Sequence, residues 1–376
     1  MTFISLPQNY NSIDIINIKY SKYNTYPFLS KTVHDALKKH KSLVSIHKDK
    51  WDMYKKYINP YEYIHTIIPT YKISVSNYKP ISRSYYKLIE IYNTFDLKHS
   101  LNVEKIKTFH LAEGPGGFIE AIIQLRDNIN DNYYGMTIIN KQDSPGWKYT
   151  NNIFKQNLVI EKGIDNTGDI LSPDNFKYIY EKHRNTMDLI TADGGFDFSN
   201  DYNGQEINSS KLIFAEIIYG ILLQKQGGTF IIKIYDSFSL FTLQSLYLLT
   251  SLYNNVYIHK PDTSRCANSE KYVICKNFKH SSSDQYFKTF YNILQNIQYE
   301  TTISNILRID IPLYFINVIE EINSQNGSIQ IEYINKIVAS ITNSNFKYNN
   351  LINLNIKKCM LWCSKNNIPY NNMEVI

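Results

Sequence analysis

Cysteine is scarce in this chain. Cys266, Cys275, Cys359 and Cys363 are the four in 376 residues, and neither pair has the CxxC spacing of a zinc site. That argues against a disulfide framework or a metal cluster and predicts buried or free thiols. Long apolar runs are missing as well: none approaches the roughly 20 residues that span a bilayer. The opening MTFISLPQNY lacks a basic region followed by an apolar core, so the expectation is a soluble, intracellular protein without membrane partners. Two nucleotide-binding patterns are also lacking, the dinucleotide fingerprint GxGxxG and the phosphate loop that ends in Lys-Ser/Thr.

What is present is a modest excess of positive charge, +6 formally with a pI near 8.8, which suits a polyanionic partner without demanding one. The length accommodates one catalytic core with additions at both ends. Basic residues bunch at Lys38, Lys39 and Lys41 and again from Lys48 to Lys56, interleaved with Trp51, Tyr54, Tyr57 and Tyr61. Lysines beside aromatic faces suit a nucleic-acid surface, and the same pattern also describes a solvated helix face. With 32 tyrosines in the chain, a single one carries little weight.

The organising stretch is FHLAEGPGGF, residues 109–118, where a short apolar run meets a glycine-rich turn that opens into a second, helix-compatible run. Gly114, Gly116 and Gly117 allow positive φ and close approach to a ligand, and the leading N–H groups from about Phe118 would favour a carboxylate or phosphate. From Lys107 onward strands and helices alternate. Strands are expected at about 107–112, 133–139, 187–193, 228–235, 255–259 and 270–277, with a weaker one near 158–161. Helices are expected at about 117–127, 172–183, 208–225 and 238–253. This alternation predicts a parallel sheet covered on both faces, with ligands beyond the carboxyl ends of its strands. The last two strands are joined too closely for a crossover helix and should be antiparallel neighbours. Asp193 and Lys233 then fall at the ends of buried strands, and Glu270 opens the final one. Lys87 lies in the helical run SRSYYKLIEIY, residues 82–92. Residues 280–376 show helical segments near 312–323 and 351–363 between asparagine-rich spacers, with no motif.

These residues sit within longer ordered segments: AEGPGGF at 112–118, GMT at 135–137, GIDNTGDI at 163–170, ADGGF at 192–196, GGTFIIKIYD at 227–236 and KPDTSRCANSEKYVICKNF at 260–278. Over roughly residues 40–280 the chain resembles the FtsJ/RrmJ-type RNA 2′-O-ribose methyltransferases, most closely the branch that modifies the first transcribed nucleotide of capped mRNA. The resemblance implies an α/β, Rossmann-like S-adenosylmethionine-dependent fold: a mostly parallel seven-stranded sheet with an antiparallel last strand, helices on both faces and helical extensions at both ends. It divides the chain into a basic and aromatic extension over 1–80 for RNA or cap contact, a methyltransferase core over 81–280 and a helical extension over 281–376. The family's Lys-Asp-Lys-Glu tetrad falls on Lys87, Asp193, Lys233 and Glu270. Cofactor positions fall on Ser82, on the loop Ala112, Glu113, Gly114, Pro115, Gly116, Gly117 and Phe118, and on Asp169 and Ile170. HKSLVS at 40–45 and NPYE at 59–62 resemble segments flanking the cap surface, which makes Lys41, Ser42 and Lys55 candidate cap or phosphate contacts and Asn268 a candidate transcript contact. The second strand departs from the wider pattern: no carboxylate follows it directly to hold the cofactor's ribose, and Asp143 is the nearest substitute.

The implied reaction is conversion of cap-0 to cap-1 mRNA. S-adenosylmethionine is the cofactor and capped mRNA the partner, alongside other capping enzymes, and no metal is called for because the sulfonium methyl is already activated. Lys233 is the candidate base, its amine kept neutral by desolvation and by the second ammonium of Lys87. The expected place of action is the cytoplasm for a cytoplasmic virus and otherwise the nucleus. Two alternatives stay open: a ribosomal or transfer RNA ribose methyltransferase, and a non-catalytic RNA-binding subunit of a capping complex.

Overall fold

The computed structural model describes residues 3–10, 16–20, 26–139, 146–148, 157–195, 201–297, 303–343 and 348–373. Ten strands lie among them: β1 (Ile4–Ser5), β2 (Ile16–Tyr20), β3 (Lys107–Leu111), β4 (Asn132–Met136), β5 (Asn157–Glu161), β6 (Met187–Ala192), β7 (Gln224–Ile234), β8 (Tyr253–His259), β9 (Lys271–Phe278) and β10 (Ile303–Leu307). Eight form one sheet in the order β1-β8-β9-β7-β6-β3-β4-β5, and β10 pairs with β2 in a separate antiparallel ribbon. Strands β5, β4, β3, β6 and β7 run parallel, whereas β9 is inserted antiparallel between β7 and β8. The expected seven-stranded sheet is therefore present, with the two-residue β1 added at its edge.

Strand alternation divides the apolar residues between two layers. Ile190, Phe230, Ile232, Val273 and Cys275 face the core under the helices Pro173–His183, Ser210–Leu223 and Leu240–Leu252. Leu189, Ile231, Tyr272 and Ile274 face the opposite core, under Ser84–Thr94, Gly117–Arg126 and the C-terminal Tyr348–Lys365. Because side chains alternate with period two, Lys233 falls on the second face, opposite Tyr272 in the β7–β9 register. Chain order passes from β3 out to β5 and returns to β6 on the other side of β3. The switch point, where such sheets bind ligands, thus lies above β3 and β6.

Two boundaries differ from expectation for physical reasons. β4 stops at Met136, because the Ile139 N–H leaves the ladder and donates to the Thr167 carbonyl at 2.7 Å. The helix expected near 312–323 runs from Leu313 to Thr342, straight through the asparagine-rich spacer. Tertiary bonds satisfy its polar groups: Asn323 donates to the Ser237 carbonyl at 2.8 Å, and Gln330 to the Ala267 carbonyl at 3.1 Å. This long helix packs against Lys31–Ile46 and Lys48–Ile58, so the two ends of the chain meet beside the core.

Candidate active site

The glycine turn follows β3 and is supported from below by its own acid. The Glu113 carboxylate accepts from the backbone N–H groups of Phe118 and Ile119, the second at 3.2 Å, and is buried. The helix Gly117–Arg126 is thus capped internally, and those N–H groups are not open to a ligand as the sequence suggested; the carboxylate five residues upstream reaches them first. Burial pushes the Glu113 carboxyl well above its ordinary range. One turn on, Glu120 accepts from the Tyr78 hydroxyl at 2.6 Å and the Ile81 N–H at 2.7 Å, and this draws Ser82 onto the turn. A Cβ on Gly117 would come within 2.3 Å of the Ser82 Oγ and 2.2 Å of the Ser84 Oγ, so only glycine permits this approach.

Asp169 and Ile170 lie beyond the end of β5, in a loop knitted by its own side chains. The Asp169 N–H donates to the Thr167 Oγ1 at 3.1 Å, and Asn175 Nδ2 donates to the Asp169 carbonyl at 3.0 Å. The Ile139–Thr167 bond fastens that loop to β4, so Ser82, the turn and Asp169 follow one rim of the sheet. Ile170, Phe118 and Glu113 face inward and support this rim, while Asp169 is partly exposed. Asp143 lies outside the described residues.

All four residues of the expected tetrad meet above the same rim, from four separate elements. Lys87 comes from the helix Ser84–Thr94, Asp193 follows β6, Lys233 lies near the end of β7 and Glu270 immediately precedes β9. The antiparallel direction of β9 is what brings its first residue to the end where the parallel strands finish. The Lys87 Nζ sits 2.8 Å from the Glu270 Oε1 and 2.9 Å from its Oε2, and the Ser264 hydroxyl donates to Oε1 at 2.8 Å. The Lys233 Nζ lies 3.1 Å from the Asp193 Oδ1 and donates to the Asp193 carbonyl at 2.8 Å. Tyr272 joins the pairs, donating to the Asp193 Oδ1 at 2.7 Å with its ring 5.8 Å from the Lys87 Nζ.

Burial alone would raise the Glu270 carboxyl, but the ammonium groups of Lys87 and then Lys233 outweigh it and hold the group well below its ordinary range. Burial alone would lower the Lys233 amine; here Asp193, then Tyr235 and Glu270, outweigh it and hold Lys233 above its ordinary value. This reverses the sequence expectation of a depressed lysine. Lys87 pairs with Glu270, so its charge is screened from Lys233 by a carboxylate.

Sequence reading missed a second hub at the rim. Glu62 of NPYE accepts from the Arg265 Nε at 3.0 Å and Nη2 at 2.7 Å, from Asn59 at 2.9 Å and from Thr66 at 2.9 Å. Arg83 approaches the same carboxylate at 3.5 Å and donates to the Thr263 carbonyl at 2.8 Å. NPYE and TSR are thus two halves of one ion-paired clamp that leaves two arginines partly exposed. The signal lies in the two motifs themselves, but nothing in their spacing shows that they touch.

Beside the clamp is a cavity of about 200 Å³ walled by the N-terminal helices, the helix Leu313–Thr342 and the loop before β9. Lys41, Lys55 and Asn268 line it, and so do Trp51 and Tyr333. Ser42 is exposed elsewhere, its hydroxyl bonded to the Lys39 carbonyl at 2.7 Å. Lys41 is buried and pairs with Asp236 at 2.7 Å, so its charge is already neutralised within the protein. Lys55 rests on Asp52. The Lys260 Nζ holds the loop by donating to the Asn268 carbonyl at 2.7 Å, the Asn268 Oδ1 at 2.9 Å and the Glu270 carbonyl at 2.9 Å. Tyr54 packs edge-on and Tyr57 at a tilt against Tyr348, leaving Trp51 as the cavity's ring from that segment.

The sequence is similar to those of several proteins named as cap-specific mRNA methyltransferases. Cap-specific mRNA (nucleoside-2′-O-)-methyltransferase 1A of Caenorhabditis briggsae is 32% identical over 205 residues, half of this chain and 23% of that protein. Human cap-specific mRNA (nucleoside-2′-O-)-methyltransferase 1 is 30% identical over 246 residues, 61% of this chain and 29% of that one. A C. briggsae protein named inactive cap-specific mRNA (nucleoside-2′-O-)-methyltransferase 1B is 30% identical over 205 residues, half of this chain and 24% of that protein. The chain therefore spans about a quarter of the length of these relatives, and identity at this level does not separate an active from an inactive one. The model of the FtsJ-like methyltransferases matches residues 80–278, the stretch that contains the switch point, the glycine turn and all four tetrad residues; more than half of the chain is accounted for, and it belongs to the FtsJ-like methyltransferase family.

Proposed function

We propose that this chain transfers a methyl group from S-adenosylmethionine to the 2′-hydroxyl of the first transcribed nucleotide of capped mRNA. The observation that carries the reading is the pair of buried ion pairs, Lys87–Glu270 and Lys233–Asp193, at the rim that also holds the glycine turn. A scaffold has no use for four charges held out of water at a sheet end, where their desolvation must be compensated. The cofactor would rest on the backbone of the turn from Ala112 to Gly117 with Ser82 at one end and Asp169 toward the other. The residues suit such a group: Gly117 lacks the Cβ that would collide with the Ser82 and Ser84 hydroxyls, so bare backbone and two hydroxyls meet at the turn. When bound, it supplies a methyl group activated by a sulfonium, whose positive charge favours a neutral Lys233.

Lys233 would accept the proton of the ribose hydroxyl as that oxygen takes the methyl carbon and the carbon–sulfonium bond breaks, leaving a neutral thioether. Asp193 orients it by two contacts, and the same carboxylate favours its ammonium form, so the reactive fraction grows with pH. Arg83 and Arg265, held by Glu62, face the rim as phosphate contacts. The cavity beside them, with Trp51 and Tyr333 among its walls, offers aromatic surface to the cationic base of a cap. In this reading the regions 1–80 and 281–376 together build the substrate wall of the core over 81–280.

The test is labelled methyl incorporation into short RNAs with an N7-methylated cap, an unmethylated cap or a 5′-triphosphate, followed by digestion to locate the modified ribose. Methylation of the first nucleotide of capped RNA is expected. Equal activity on all three RNAs would point to a ribosomal or transfer RNA enzyme. Cofactor binding without transfer would leave a non-catalytic RNA-binding subunit.

A further inference from the structure

The helix Ser210–Leu223 is among the most apolar in the molecule, with Phe214, Ala215, Ile217 and Ile218 around a single acid, Glu216, that has no solvent exposure. An isolated carboxyl in such surroundings is unfavourable unless something requires it there. Its Oε1 accepts from the Gly194 N–H at 3.2 Å, and its Oε2 has no partner among the described residues. A Cβ on Gly194 would come within 2.2 Å of the Glu216 Oε1 and 2.9 Å of the Ala112 Cβ, so a side chain there would displace the acid. The peptide unit whose N–H Glu216 receives is the one whose carbonyl, that of Asp193, accepts from the Lys233 Nζ at 2.8 Å. A single peptide group therefore joins the buried acid on one side of the sheet to the lysine on the other.

We propose that Glu216 is a positioning residue of the site: its carboxyl fixes the Asp193–Gly194 peptide on which Lys233 is anchored, and its charge state sets how readily Lys233 gives up its proton. A negative Glu216 draws on the N–H, polarises the peptide and strengthens the carbonyl as an acceptor, which favours the ammonium form of Lys233. A neutral Glu216 keeps the hydrogen bond without that bias. Burial, with Asp193 adding to it, pushes the Glu216 carboxyl up to about 8, although Lys233 and the Gly194 N–H draw it down. The charged and titratable groups bearing on the unit are Asp193, Lys233, Tyr235 and Glu270, with Tyr272 bonded to Asp193, the buried Glu113 acting on Asp193 from the glycine turn, and Lys87 bonded to Glu270.

The inference rests on Lys233 as the proton acceptor, so the wild-type chain is assayed first on capped RNA; absence of transfer would overturn that reading and this inference with it. Given wild-type activity, Glu216→Gln keeps the size and the acceptor but cannot ionise. Its pH–rate profile should match wild type below about pH 7 and reach its midpoint at least about half a pH unit lower, with KM for RNA unchanged within about twofold. An infrared difference spectrum of wild type minus variant should show a protonated carboxyl band from Glu216, separate from the band that buried Glu113 contributes to both proteins. Glu216→Met, neutral and of similar volume, should shift the profile the same way with a lower maximum, since it also loses the bond to Gly194. An unchanged profile in Glu216→Gln would reduce the residue to a structural cap and overturn the proposal while leaving the methyltransferase reading intact. Failure of both variants to fold would likewise assign Glu216 to folding alone.

Discussion

Replacing Glu270 by glutamine removes one charge from the middle of the site and keeps its shape. In the native protein the carboxylate accepts Lys87 at 2.8 and 2.9 Å and the Ser264 hydroxyl at 2.8 Å, with little access to solvent. At 2.8 Å and an effective dielectric constant of 20, the attraction to Lys87 is about 6 kcal/mol before desolvation is subtracted. Stripping one partner from a buried pair destabilises by about 3–5 kcal/mol, and the glutamine oxygen can still accept one bond, so a loss of about 3 kcal/mol is expected. With about 2.1 cal/mol/K of unfolding entropy per residue over 376 residues, this lowers Tm by about 4 °C. Urea unfolding measures the free energy directly, and its pH dependence supplies a second check. The folded carboxyl titrates below its unfolded value of about 4.3, so its contribution is fully present above that pH and is lost as pH falls through the folded value. The gap between wild type and variant should therefore be level from pH 6 to 8 and narrow below about pH 4. Methyl transfer should fall by about 10² or more, because Lys87 loses its anchor. A gap under about 1 kcal/mol at pH 7 would mean the pair behaves as an exposed one and would refute the account of a desolvated tetrad.

Further outcomes follow from the same geometry. Gly116→Val places a β-branched side chain at φ 110°, so S-adenosylmethionine affinity should drop at least about tenfold by calorimetry; unchanged affinity would make the turn a plain connector. Lys233→Arg keeps the charge but cannot release its proton, so transfer should fall by about 10²–10⁴ with cofactor binding retained, and near-normal turnover would restrict Lys233 to electrostatic positioning. Lys41→Ala and Lys55→Ala should differ in kind: the first strands the buried Asp236 and lowers stability by about 3–5 kcal/mol, whereas the second leaves stability alone and reduces the salt dependence of RNA binding. Equal stability of the two variants would show that Asp236 does not depend on Lys41.

Much of the molecule was legible in the chain because the information was local. The apolar runs of β3, β6 and β7 set their strand character, and period-two alternation set which face Lys233 occupies. The short link between β8 and β9 required an antiparallel pair, and that placed Glu270 at the rim where the parallel strands end. The motif residues Lys87, Asp193, Lys233 and Glu270 could be named together because each lies in an ordered segment of its own.

Pairing, burial and charge were decided only when distant segments met. Nothing in NPYE or TSR reveals that Glu62 closes on Arg265, because 203 residues separate them and the bond exists only across the fold. The asparagine-rich stretch after Ile322 reads as a spacer until Ser237 and Ala267 are present to satisfy it within a helix. Lys41 reads as a free cation until Asp236 neutralises it, and Lys233 as a depressed amine until Asp193 faces it. A residue type and its neighbours in sequence determine what a side chain can do, whereas its ionisation depends on desolvation and on the sign of the nearest charge, and both of those are properties of the packed tertiary structure.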